Sequence, residues 1–176
     1  MRYAGLLKND FSAAPGVAVS FFTQGCPHKC PGCHNPETWD FTGGKEFTPD
    51  VLNEILQALT DNGIERSLCI LGGEPLCPEN EFLTYLVIRH IKDQLPNTKV
   101  YVWTGYTYED LLHSRPRVQQ ILELTDCIID GPYLEEERDV TLPMRGSRNQ
   151  KIIYLDKKEK VWYNKNKKGA IKYDAI

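Results

Sequence analysis

Cys26-Pro27-His28-Lys29-Cys30-Pro31-Gly32-Cys33 puts three thiols into one loop at the spacing C-x3-C-x2-C, directly after the apolar run Val17 to Phe22. Clustered thiolates are soft ligands, suited to zinc or to an iron–sulfur cluster. The number of ligands separates the two. His28 or His34 as a fourth ligand would close a Cys3His zinc tetrahedron, a structural site. Left at three, the same thiols hold a [4Fe–4S] cube with one iron open to a ligand that is not protein. A disulfide framework would need an oxidising compartment. Met1 to Asp10 has no apolar stretch of signal-peptide length, and no run approaches the ~18 apolar residues of a membrane helix. The chain is therefore expected in a reducing cytoplasm. Of the other cysteines, Cys69 and Cys127 lie in apolar, strand-like runs and read as small core residues, whereas Cys77 follows a glycine turn and is a candidate for a place near the site.

The elements that must position this loop alternate. Val17–Phe22, Ser67–Leu71, Lys99–Trp103 and Cys127–Asp130 are short, apolar and bounded by turn residues, as buried parallel strands are. Between the first two, Thr48 can cap a helix that has Pro49 at its first position. That helix buries Val51, Leu52, Ile55, Leu56 and Leu59, and Gly63 ends it. Between the second and third, Phe82, Leu83, Leu86, Val87 and Ile91 form the next apolar face, with His90 beside it as a packed or flanking residue. A weaker helical stretch, about 108–123, is interrupted by Pro116. Such alternation predicts a right-handed, parallel α/β sheet.

On that frame each strand ends in an unusual turn. The cysteine loop follows the first strand, Gly72-Gly73-Glu74-Pro75 the second, Thr104-Gly105-Tyr106 the third, and Asp130-Gly131-Pro132-Tyr133 closes the fourth. In a parallel sheet these points share the carboxyl edge, where α/β proteins place their sites. Two successive glycines let backbone approach a ligand closely. With Glu74 they offer a seat for the ammonium of an amino-acid-like ligand, and Asp130 is placed to accept from ribose hydroxyls. The open iron can chelate an α-amino and α-carboxylate pair. A ligand carrying ammonium, carboxylate and ribose beside a redox cluster points to S-adenosylmethionine. No nucleophile–base pair stands out, which disfavours hydrolysis.

Composition sets the outer bounds. A chain of 176 residues with 41% hydrophobic and 26% charged residues is one globular domain with a sizeable core. Residues 151–176 hold eight lysines against three acids, a net +5, which leaves 13 basic and 21 acidic side chains and −8 on the first 150 residues. An acidic body argues against nucleic-acid binding as the core function. The lysine-rich end is solvated surface or a contact for an acidic partner.

The chain resembles the radical S-adenosylmethionine superfamily and, within it, the anaerobic ribonucleoside-triphosphate reductase-activating proteins. The likeness runs from Tyr3 to about Ile153. It rests on Gly25 to Asn35, Thr38-Trp39, Gly72 to Leu76, Trp103 to Tyr106, Thr125-Asp126 through Tyr133, and Arg145-Gly146-Ser147-Arg148-Asn149-Gln150. It implies a partial, open parallel β/α barrel over residues 1–153, followed by a lysine-rich extension over 154–176. Cys26, Cys30 and Cys33 would bind the [4Fe–4S] cluster, with S-adenosylmethionine held by Gly32, Cys33, His34, Gly72, Gly73, Glu74, Thr104 and Asp130. The superfamily commonly has an aromatic residue before the third cysteine, against adenine. Here it is Gly32, as in the reductase-activating branch, so adenine stacking falls to His34 or Tyr106. The implied reaction is one-electron cleavage of S-adenosylmethionine to methionine and a 5′-deoxyadenosyl radical, which takes hydrogen from a glycine Cα of the reductase. The implied partners are that reductase and a flavodoxin-type electron donor, in a homodimer or a heterotetramer with the reductase, with no nucleic acid and no membrane. Arg145 and Arg148 would dock the partner; the alternative is that they pair with Glu135 to Glu137 to fix a loop. The rival functions are activation of another glycyl-radical enzyme, chemistry on a small molecule, and a non-enzymatic zinc-binding interaction module.

Overall fold

The computed structural model describes residues 1–156 and the backbone of 161–164. In chain order the main elements are β1 (Arg2–Asp10), β2 (Val17–Thr23), β3 (Lys45–Glu46), α1 (Pro49–Thr60), β4 (Arg66–Gly72) and α2 (Glu81–Gln94). They continue with β5 (Val100–Trp103), α3 (Tyr108–Leu112), α4 (Pro116–Leu124), β6 (Cys127–Asp130), β7 (Lys151–Asp156) and β8 (Val161–Asn164). The strands form one sheet in the order β3-β1-β2-β4-β5-β6-β7-β8. The four strands expected from the sequence are its parallel centre, β2-β4-β5-β6. The sheet as a whole is mixed, because β1 and β3 on one side and β7 and β8 on the other pair antiparallel. β7 runs across position 153, so the expected domain boundary falls inside a strand. The rest of the lysine-rich extension lies outside the described residues, apart from the backbone of β8.

Strand alternation sorts the side chains into two layers. Val19, Phe21, Leu68, Ile70, Val100, Val102 and Ile128 face the helices and join Val51, Ile55, Leu83, Val87, Ile91, Val118 and Ile121 in one core. Ala18, Cys69, Tyr101, Cys127 and Ile129 point the other way, into a second cluster closed by Ala13, Ala14 and Ile152. All helical core residues belong to the first cluster, so the helices cover one face of the sheet. Cys69 and Cys127 are fully buried core residues, as the sequence indicates. Burial pushes the Cys69 thiol well up.

Three local expectations change. Thr48 is the residue before α1 and has extended backbone, but its hydroxyl makes no capping bond. α1 stops at Thr60, and a 3-10 turn over Asp61–Gly63 uses left-handed Asn62 and Gly63. Phe82 is 50% exposed. It starts α2 on the outer side, and the Arg117 guanidinium lies 5.4 Å from its ring centroid. Thr84 and Ile88 take the buried positions on α2 alongside Leu83, Val87 and Ile91. Pro116 separates α3 from α4 as expected.

Candidate functional site

The carboxyl ends of the parallel strands carry the cysteine loop, and backbone bonds fix where it lies. Gly25 N–H donates to Thr38 O (2.7 Å) and Cys26 N–H to Trp39 O (3.1 Å), tying the loop to the 3-10 turn Pro36–Thr38. Gln24 Nε2 donates to Glu37 O (3.1 Å) and Asp40 O (2.7 Å) on the same segment. On the other side Gly73 N–H reaches Thr23 O (2.9 Å) and Glu74 N–H reaches Gly25 O (2.8 Å). Gly25 is left-handed, with φ +98°, and a Cβ there would run into the Phe41 ring. A Cβ on Gly73 would strike the Gly25 carbonyl. The two loops thus touch backbone to backbone, and this contact requires glycine at 73 before any ligand does.

Glu74 is the hub. Its side chain is 1% exposed and its carboxylate has four protein partners. Oε1 accepts from Leu76 N–H (2.9 Å) and Thr104 Oγ1 (2.8 Å), and Oε2 accepts from Gly105 N–H (2.7 Å) and lies 2.9 Å from His28 Nε2. It therefore links the turn after β4, the turn after β5 and the cysteine loop. His28 also packs edge-on against Tyr106, with centroids 4.7 Å apart, beside Gly105. Through Nε2 on Glu74, His28 clamps the cysteine loop to the turn after β4. Cys77 is buried, with Sγ 3.1 Å from Glu74 O, and burial pushes its thiol up to about 12.

These loops surround a cavity of about 680 Å³, a size typical of small-molecule sites. Cys26, His28, Cys30, Cys33, His34, Gly72, Gly73, Glu74, Thr104 and Gly105 line it. Leu7, Ala13, Phe22, Leu71, Trp103, Val140, Leu142 and Met144 add apolar wall. All three loop cysteines are free and partly exposed. Burial raises the Cys26 thiol, and the charges of Glu74 and Cys30 add to the rise, against lowering N–H contacts from His28 and Lys29. The three thiols line one cavity but are not drawn together: among the described residues no three His, Cys, Asp or Glu side chains stand at metal-holding distance. The donor set still fits an iron–sulfur cluster: three sulfur ligands on one loop, opening onto one chamber beside a double-glycine turn.

Two expected cofactor residues are used otherwise. Asp130 does not line the cavity. Its Oδ2 accepts from Tyr108 N–H (2.7 Å) and its Oδ1 from Lys151 N–H (3.1 Å), so it joins α3 to β7. Burial is the largest influence on its carboxyl and raises it above the usual range, in spite of those two bonds. Gly32 also lies off the wall. Its left-handed φ of +71° favours glycine, and a Cβ there would meet only the movable end of the Glu135 side chain. Between the two adenine candidates, His34 is on the wall, with its ring 6.2 Å from Tyr133, and Tyr106 is not.

Tyr133, from the turn expected at this edge, also lines the cavity, and so do Asp10, Ser12, Met144 and Gln150, which no pattern in the sequence had brought to it. Arg145 is there too, so it is not remote from the site, whereas Arg148 is exposed. Neither arginine forms an ion pair with Glu135 to Glu137; the tie in that region is Arg148 N–H to Glu137 O, 3.0 Å.

A family model described as a 4Fe-4S single cluster domain matches residues 13–153. A protein of Salmonella typhimurium strain LT2 is 33% identical over 156 residues, spanning 88% of this chain and 99% of its own. One of Pasteurella multocida strain Pm70 is 36% identical over 155 residues (88% and 97%), and one of Enterobacteria phage T4 34% over 152 (86% and 93%). Each is named anaerobic ribonucleoside-triphosphate reductase-activating protein. This chain belongs to that family. The family match covers every cavity-lining residue named above except Leu7, Asp10 and Ser12, which come from β1 and the turn after it. Among the described residues no helix is long and apolar enough to cross a membrane.

Proposed function

We propose that this chain activates an anaerobic ribonucleoside-triphosphate reductase by forming a glycyl radical on it, with a [4Fe–4S] cluster and S-adenosylmethionine in the cavity as cofactors. The observation that carries the reading is that the three thiols of one loop and the double-glycine turn after β4 open onto the same chamber. Cys26, Cys30 and Cys33 are the cluster ligands in this reading. When bound there, the cluster would supply the single electron for reductive cleavage of S-adenosylmethionine, the chemistry from which hydrogen abstraction at a glycine Cα of the reductase would follow.

The chain's own residues hold and shield. Glu74 fixes three loops against one another, so its role is to set the shape of the cofactor site. Gly72 and Gly73 present backbone to the cofactor, Thr104 holds Glu74 beside them through its hydroxyl, and His34 and Tyr133 offer ring faces for adenine. The apolar wall of Leu7, Phe22, Leu71, Trp103 and Leu142 keeps water from a reactive carbon radical. Helices on one face of a mixed sheet with a parallel centre support the partial barrel of radical S-adenosylmethionine proteins, in which the mouth of the cavity admits a reductase loop. Exposed Arg148 belongs to the docking side. A flavodoxin-type donor, a homodimer or a heterotetramer with the reductase, and a cytoplasmic location complete the reading.

Anaerobic incubation of the reconstituted protein with S-adenosylmethionine, a reductant and the reductase tests it. The expected products are 5′-deoxyadenosine and a glycyl-radical resonance on the reductase. Deoxyadenosine without any radical on the reductase would move the substrate to another enzyme.

A further inference from the structure

Among the described residues that line the cavity, Arg145 is the one Lys or Arg. Its guanidinium is incompletely satisfied. Nη1 donates to Gln150 O at 3.1 Å, while Nε is buried without a hydrogen-bond partner. Among the described residues no carboxylate is within ion-pairing distance of it. The carboxylate that acts on it from further away, Asp139, has its Oδ1 bound by the N–H and hydroxyl of Thr141.

The segment that carries Arg145 is held in place. Gln150 Oε1 accepts from Gly146 N–H (2.9 Å) and Ser147 N–H (3.3 Å), and Gln150 Nε2 donates to Gly131 O (3.0 Å). Asn149 Nδ2 donates to Pro132 O (2.7 Å). Arg145 is thus a positioned cation, with an unmet donor, on the wall of an otherwise uncharged or acidic chamber. Leaving a buried N–H unpaired is costly, and a planar guanidinium matches a carboxylate in two parallel bonds.

We infer that Arg145 is the anchor for a carboxylate entering this cavity. Given the cofactors proposed above, on which this assignment rests, the carboxylate is that of the methionyl end of S-adenosylmethionine or an acidic group on the reductase loop. The two sources separate experimentally.

Dissociation constants are measured on the anaerobically reconstituted protein for S-adenosylmethionine and for its decarboxylated analogue, which keeps sulfonium, amine and adenosine. The cofactor source predicts that Arg145→Gln weakens S-adenosylmethionine by roughly 10- to 100-fold and leaves the analogue within about twofold. Arg145→Lys, which keeps charge but not the fork, recovers part of the loss. The reductase source predicts unchanged binding of both nucleosides and a comparable loss of reductase affinity. Equal loss of both nucleosides in Arg145→Gln, or no change in any of the three affinities, overturns the assignment. If the wild-type protein binds neither nucleoside, the cofactor reading fails instead, and the reductase affinity alone decides the role of Arg145.

Discussion

The turns after β4 and β6 look alike as sequence: each places a carboxylate and glycine at the carboxyl end of a buried parallel strand. The structure uses them in opposite ways. After β4, Glu74 turns toward the cavity and gathers donors from three loops. After β6, Asp130 turns into the body and joins α3 to β7. The difference lies in what comes next along the chain. Glu74 is followed by a turn that packs on the cysteine loop, whereas β6 is followed by a long excursion that returns as antiparallel β7. One acid organises the site, and the other closes the fold behind it.

That contrast can be broken at several strengths. Glu74→Ala should have the largest effect, about 3–5 kcal/mol by chemical denaturation, because a buried carboxylate is removed and four partners, two of them buried, lose it together. Iron retention should fall with it. Next come the glycines. Gly73→Ala drives a methyl into the Gly25 backbone and should cost about 2–3 kcal/mol while displacing the cysteine loop. Gly131→Ala has room, with its nearest neighbour at 3.7 Å, and pays only for its left-handed backbone, about 1–2 kcal/mol with iron binding kept. A Gly131 variant that lost iron while Gly73→Ala kept it would reverse the contrast.

Asp130→Asn is the mildest, about 1 kcal/mol, since one of its two N–H partners then faces an amide. Its pH dependence is more telling. Because the folded carboxyl is raised above 3.8, the native state holds its proton longer than the unfolded chain. Stability from Asp130 is full below 3.8 and declines as pH rises from there through the raised value. Asp10 runs the other way. Burial alone would raise it, but bonds from Ser20, Ser12 and Ala13 outweigh that and lower it. Its contribution is full above 3.8 and is lost as pH falls through the lowered value. Denaturation of Asp130→Asn and Asp10→Asn across the acid range should give differences from wild type with opposite slopes. Parallel slopes would contradict both environments.

The sequence showed what depends on short range. Apolar runs marked β2, β4, β5 and β6, and the Pro116 break marked the division of the last helical stretch. β1 was silent, because Leu6 and Leu7 sit among Gly5, Lys8 and Asn9 in a half-exposed strand with bulges. β7 carries a local signal in Ile152-Ile153-Tyr154-Leu155 that the expected strands left out, but its antiparallel place beside β6 is a long-range choice that the run itself does not announce. The three cysteines were legible from spacing alone. The orientation of the acids was not: Glu74 meets His28 across 46 positions and Asp130 meets Lys151 across 21, and only the assembled loops decide which carboxylate faces the cavity. Arg145 looked like a remote docking residue until Gln150 and Asn149 pinned its segment beside Gly131 and Pro132.

The central claim, that the loop thiols hold a redox cluster in the shared cavity, is tested most directly by metal and sulfide analysis after anaerobic reconstitution. The account predicts a brown protein with about four iron and four sulfide per chain, lost in Cys26→Ala, Cys30→Ala and Cys33→Ala and kept in Cys69→Ala and Cys127→Ala. A colourless zinc protein, or a cluster that survives Cys30→Ala and disappears in Cys127→Ala, would contradict it.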